Sequence, residues 1–126
     1  MKTLVVGDLH LKQQYVLPRI DETFAADGEI GRVVFLGDAC DDWGATEADE
    51  LGAMEFYAKW VGRHRERGMQ VDVLLGNHDF CYVRGKRGPG SIMSIMRDLR
   101  AILEEELRAR IACAVGPYLC THAGVT

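Results

Sequence analysis

Apolar and polar positions follow a repeating order along the chain: a short β-branched run, a glycine, a polar loop, then an amphipathic stretch. "KTLVV" (2–6) predicts a buried strand that ends at Gly7. "RVVFL" (32–36) predicts a second ending at Gly37, and "QVDVLL" (70–75) a third ending at Gly76. "YVLPRIDETFAA" (15–26) predicts a helix whose start near Pro18 is left open. Thr46, with Asp49 three residues on, resembles a capping box and opens a helix over 47–67. Leu51, Met54, Ala58 and Val61 recur there at helical spacing. Residues 80–91, "FCYVRGKRGPGS", predict a Gly/Pro-rich loop, with Ser91 capping a further helix. Ile92, Ile95, Met96, Leu99, Ile102, Leu103 and Leu107 are its continuous apolar stripe. The end, "RIACAVGPYLCTHAG", predicts two short strands joined at Gly116-Pro117, an arrangement that leaves Cys113 and Cys120 the option of facing each other. Strands alternating with helices point to an α/β layered fold with a mainly parallel sheet.

Composition narrows the class. A chain of 126 residues supports one domain (1–126) with a real core, and is too short for two. A formal charge of −4 and no basic face disfavour a polynucleotide partner. No apolar run approaches the roughly 20 residues needed to span a bilayer, and Asp8 interrupts any signal-peptide core, so no membrane partner is expected. Cys40, Cys81, Cys113 and Cys120 form no CxxC pair; reduced thiols in a cytoplasmic protein are the expectation.

The predicted strands end in clusters of metal-type side chains. "VVGDLH" supplies Asp8 and His10, "FLGDACDD" supplies Asp38, Asp41 and Asp42, and "LLGNHD" supplies Asn77, His78 and Asp79. Taken singly, each is more simply a capped or acidic turn. Together they fall at the carboxyl ends of strands, where ligands bind in open α/β sheets, so the loops are expected to converge. Glycine before each acid lets the backbone turn sharply off the sheet edge. Carboxylates, imidazoles and an amide carbonyl suit hard or borderline divalent ions. Two such ions roughly 4 Å apart clamp the attacking and leaving oxygens of a phosphoryl group.

Gly-Asp-x-His, Gly-Asp-x-x-Asp, Gly-Asn-His-Asp and Thr-His-Ala-Gly, in this order, resemble the calcineurin-like metallophosphoesterase superfamily from Asp8 to His122. The resemblance implies a sandwich of two β-sheets flanked by helices, with a dinuclear metal site at the loop ends. It implies that Asp8 and His10 bind one divalent ion, Asn77 and His122 the other, and that Asp38 bridges them. Mn²⁺ is the first choice, with Fe or Zn²⁺ as alternatives. His78 then stands near the leaving group as proton donor or charge stabiliser, oriented by Asp41. A metal-bridging hydroxide attacks phosphorus in line, with no covalent phosphoenzyme. The implied activity is hydrolysis of a phosphomonoester or nucleotide. A phosphodiesterase or nuclease, and a non-catalytic scaffold or inactive fragment of the same fold, are the alternatives.

The family pattern has a further Gly-His-x-His motif that this sequence does not contain. The resemblance therefore implies the N-terminal portion of a domain, C-terminally incomplete, with each ion one imidazole short and metal affinity and activity reduced. A second sheet left incomplete in this way exposes an edge and invites homo-oligomers. Asp42 stands where the Ser/Thr phosphoprotein phosphatase branch carries Arg, which argues against that branch. "THAG" nevertheless resembles it and the symmetrical dinucleoside tetraphosphate hydrolases, so the substrate stays open. Arg84, Lys86 and Arg87 are candidates to grip substrate phosphate, or simply cover a solvated loop. Trp43 either stacks on a base or covers the site. His64 is expected to be a solvated surface residue, and Cys40 and Cys81 structural thiols.

Overall fold

The β-branched runs build one parallel sheet from β1 (Lys2–Val6), β2 (Ile30–Phe35) and β3 (Gln70–Val73), in that spatial order. This is a computed structural model that describes residues 1–123. The register sets Val6 beside Phe35 and Phe35 beside Val73. Alternation of side chains then sends Val33, Phe35, Val71 and Val73 into the main core, and Val34 and Leu74 to the other face.

Helices cover the first face. α1 (Gln13–Ala26) and α2 (Glu47–Glu66) pack on it, with Phe35 meeting Tyr57 and Trp60 edge-on at centroid distances of 5.2 and 5.7 Å. These rings are essentially fully buried. Burying the Phe35 ring contributes about 1.5–3 kcal/mol over leaving it exposed. α1 begins before Pro18, at Gln13, because the buried Gln13 amide donates to Ala39 O (3.0 Å) and pins that turn. Pro18 then sits inside the helix and forgoes one main-chain bond. Thr46 and Asp49 form the expected reciprocal capping box at the start of α2. His64 is half-buried rather than a free surface side chain. It hydrogen-bonds Asp21 (2.9 Å) and packs 4.1 Å from the Trp60 ring, closing α2 onto α1.

The stretch predicted as a loop from residue 80 is partly helical. α3 (Asn77–Arg84) starts inside the Gly-Asn-His-Asp motif and stops at Gly85, which takes the left-handed conformation (φ 72°) of a helix terminator. Ser91 does not cap the next helix; its hydroxyl accepts the Gly88 N–H (3.0 Å) within a turn. The predicted continuous helix is split into a tight 3₁₀ turn at Met93–Ile95, α4 (Met96–Ala101) and a wide π turn at Ile102–Glu106. The wide turn, closed by Leu107 N–H to Ile102 O (2.8 Å), lets both Leu103 and Leu107 point fully into the core. Arg65 caps its end, donating to Leu107 O and Val71 O (2.8 Å each).

β4 (Ala112–Val115) and β5 (Tyr118–Thr121) form an antiparallel hairpin on the second face. Cys113, Val115 and Cys120 pack on Val34, Leu36 and Leu74, giving a sheet-on-sheet layer opposite the helices. Cys113 pairs across the ladder with Cys120, and both thiols are free. Among the described residues no helix is long and apolar enough to cross a membrane.

Candidate metal centre

The loops leaving β1, β2 and β3 meet at the carboxyl edge of the sheet. Main-chain bonds from His10 N–H to Asp38 O (2.9 Å) and Leu11 N–H to Ala39 O (3.1 Å) zip the first two loops together. The turns are tight enough to push His10, Leu11, Asp38 and Asp41 to positive φ, between 40° and 70°. Strain of this kind persists only where surrounding bonds over-determine it, and it concentrates at functional sites.

Gly37 and Gly76 allow the second and third loops to touch backbone to backbone. A Cβ on Gly37 (φ 111°) would lie 2.8 Å from Gly76 Cα, and one on Gly76 would overlap Asp38. Gly7 differs from the expectation: its φ is not left-handed and a Cβ there meets nothing. Gly76→Ala is therefore expected to lower stability by about 2–4 kcal/mol, as backbone overlap in a packed site does, whereas Gly7→Ala stays within about 1 kcal/mol. Urea unfolding of both variants checks this, and equal losses would refute it.

The imidazoles are oriented from behind. His10 Nδ1 donates to Asp41 O (2.8 Å) and Cys40 O (3.1 Å), leaving Nε2 3.7 Å from both Asp8 Oδ2 and Asp38 Oδ2. His122 Nδ1 donates to Leu36 O (3.0 Å), leaving Nε2 3.1 Å from Asp38 Oδ2 and 3.0 Å from Asn77 Oδ1. A carbonyl on one ring nitrogen is the usual way a ligating histidine is held in the right tautomer. The free nitrogen of each ring thus faces oxygens that only accept. Such a set is repulsive unless a proton or a cation lies among them. Asp8, His10 and Asp38 offer ligand atoms within 4.8 Å of one another. This mixture of carboxylate, amide and imidazole donors fits a hard or borderline divalent cation. Burial lowers the His10 pKa, but the Asp41 and Cys40 carbonyls and the Asp38 and Asp8 carboxylates outweigh it, and the net shift is upward.

Asp38 does two jobs. Its Oδ1 accepts the His78 N–H (2.9 Å) in the first turn of α3, while Oδ2 faces both histidines. Asp41 Oδ2 lies 3.1 Å from His78 Nδ1, and the rings of His10 and His78 meet edge-on at 5.2 Å. A cleft of about 260 Å³ opens here, walled by His10, Asp41, His78, Trp43 and, from the loop after α3, Pro89 and Gly90. Asn77 and His122 border a neighbouring cleft of about 220 Å³ with Phe80 and Ile111. Trp43 is 90% exposed at the rim of the first cleft, so the fold makes no use of its ring. Arg84, Lys86 and Arg87 are exposed and do not line either cleft; Arg84 lies over the Phe80 ring, 5.5 Å from its centroid. Cys40 is fully buried, and burial pushes its thiol well up, so it is no nucleophile.

Three residues matter here that no motif reading assigned. Asp79, almost completely buried, accepts the N–H groups of Asp38 (2.7 Å), Cys40 (2.9 Å) and Gly76 (2.9 Å), and so shapes the second loop around its own carboxylate. Burial raises its pKa while these donors oppose the rise. Glu50, fully buried on α2, accepts the Asp41 N–H (3.0 Å), and Tyr82 on α3 donates its hydroxyl to the Asp41 carboxylate. Asp79 had a sequence signal, being the last letter of Gly-Asn-His-Asp. Glu50 and Tyr82 had none.

Burial, with the charges of Asp41 and Asp79 beyond it, pushes Glu50 up to about 8 against the hydrogen bond from Asp41 N–H. A carboxyl whose folded pKa exceeds its unfolded value binds more protons when folded. Stability should therefore fall as pH rises from about 4.5 to about 8, by up to about 1.4 kcal/mol per pH unit from this group. Glu50→Gln is expected to flatten that slope in urea melts across the window; an unchanged slope would show that Glu50 is ionised throughout.

The sequence profile of the calcineurin-like phosphoesterases matches residues 1–126. No curated protein and no solved structure matches the chain. A match along the whole chain, on a layered α/β fold whose strand-end loops collect aspartates and histidines, means that this protein belongs to the calcineurin-like phosphoesterase family of metal-dependent hydrolases.

Proposed function

We propose that this protein hydrolyses a phosphomonoester or nucleotide at a site holding two divalent ions, Mn²⁺ first among them. The observation that carries the reading is Asp38 Oδ2, which faces the free ring nitrogens of both His10 and His122. A carboxylate oxygen placed between two imidazoles, each held by its far nitrogen, is the arrangement expected of a bridging ligand. Asp8 and His10 would hold one ion, and Asn77 and His122 the other. When bound, such ions supply Lewis-acid polarisation of the phosphoryl group and acidify water. The protein's own part is positional. His78, backed by Asp41 at Nδ1, offers its other ring nitrogen on the cleft side, and in the doubly protonated form it would donate a proton to the leaving oxygen or stabilise its charge. Trp43 supplies an apolar rim, and Arg84 at the end of α3, with Lys86 and Arg87 on the loop that follows, supplies positive charge beside the wall formed by Pro89 and Gly90.

Equilibrium dialysis of the whole chain against Mn²⁺, with metal counted by mass spectrometry, tests the reading. Two ions per chain are expected. A chain that binds no ion at millimolar Mn²⁺ would sink the dinuclear site and the hydrolysis proposed with it.

A further inference from the structure

We infer that Tyr82 is a positioning residue for the Asp41–His78 pair, its hydroxyl locking the Asp41 carboxylate in the rotation that presents the second oxygen to His78. The inference rests on the phosphoesterase reading above and adds a component that none of the family motifs supplies.

The hydrogen-bond directions carry it. Tyr82 is fully buried, and its hydroxyl oxygen accepts the Ile92 N–H at 2.8 Å. With that side taken, the hydroxyl proton goes to Asp41 Oδ1. Asp41 Oδ2 is left for His78 Nδ1 at 3.1 Å. The Asp41 main chain is held by other groups: its N–H by Glu50 (3.0 Å) and its carbonyl by His10 (2.8 Å). Tyr82 therefore acts on the rotation of the carboxylate alone. A carboxylate facing Nδ1 requires the proton on Nδ1, so the tautomer of His78 follows from a hydroxyl two bonds away. The phenol keeps its proton throughout, since burial and then the Asp41 carboxylate raise its pKa. The Ile92 link also joins this pair to the loop whose Pro89 and Gly90 wall the cleft.

A buried tyrosine that merely finds a convenient acceptor would look similar in a static view. The tautomer of His78 separates the two. The full chain, labelled with ¹⁵N in its histidines, is read by long-range ¹H–¹⁵N spectra above the imidazole titration, with the His78 signal assigned through His78→Asn. The wild type is expected to show a single Nδ1–H form. Tyr82→Phe, checked for folding by circular dichroism, keeps the ring and should give a mixture of both forms.

Asp41→Asn provides a test that leaves Tyr82 in place. Because the Tyr82 hydroxyl must donate, it selects the amide oxygen and turns the amide NH₂ toward His78. That forces the Nε2–H form. With Mn²⁺ and p-nitrophenyl phosphate, Tyr82→Phe should lower kcat about tenfold while KM stays within about twofold, the pattern of a misplaced reacting group. His78 remaining purely Nδ1–H in Tyr82→Phe, or in Asp41→Asn, overturns the inference. Tautomer shifts as expected, with hydrolysis indifferent to Asp41→Asn and His78→Asn, would keep the positioning role and remove the catalytic reading of the pair.

Discussion

On the dinuclear reading proposed above, Asp38→Asn is expected to reduce bound Mn²⁺ from two ions per chain to at most one and to lower phosphoester hydrolysis by about a hundredfold or more. The side chain keeps its shape, and the amide oxygen still accepts the His78 N–H that now bonds Oδ1 at 2.9 Å. The amide NH₂ would face the free nitrogens of His10 and His122, replacing a contact that needs a cation by one that does not. The metal-free variant should therefore be as stable as the wild type or more so, since it removes a buried charge close to Asp8. Metal counting and a thermal melt on the same samples read both effects. Unchanged stoichiometry would mean that Asp38 is not shared between two ions. A large loss of stability would mean that its role is structural.

Asp79→Ala is expected to do the opposite, crippling stability first. It strips the acceptor from the buried N–H groups of Asp38, Cys40 and Gly76. Leaving each such donor unsatisfied costs about 1–3 kcal/mol, so the sum is roughly 3–6 kcal/mol once partial relaxation is allowed. Against the 5–15 kcal/mol typical of a whole domain, that is a large share. The urea midpoint measures it directly. Because Asp38 takes its left-handed conformation inside this network, Mn²⁺ binding should fall with stability rather than survive it. A loss under about 1 kcal/mol would show that water replaces the carboxylate, and that the loop holds its shape without it. Together the two substitutions separate the ligand role proposed for Asp38 from the loop-shaping role of Asp79.

Much of the layout was legible because local rules and tertiary packing agree there. β-branched runs became the strands of a parallel sheet, and the capping box at Thr46 opened α2 as its spacing predicts. The metal-type residues were legible for a similar reason: each cluster stands directly after a strand, and parallel strands deliver their carboxyl ends to one edge. Errors arose where a residue's surroundings come from distant sequence. Helix α3 was hidden because residues 80–91 read as one Gly/Pro-rich loop, whereas Gly85 terminates a helix begun on the Asp38 side chain. His64, among charges in sequence, is half-covered by Trp60 and Phe24 from two helices.

Sequence alone determined the α/β class, the order of the strands and the residue types that collect at the strand ends, since strand alternation and helical periodicity are local properties. Tertiary structure alone decided which nitrogen of His10 and His122 is free, that Gly76 rather than Gly7 must lack a side chain, and that Glu50, Asp79 and Tyr82 hold the loops. Those facts depend on hydrogen bonds and steric contacts between residues outside each other's local sequence window, most of them tens of positions apart, and burial turns each into a constraint that no local pattern records.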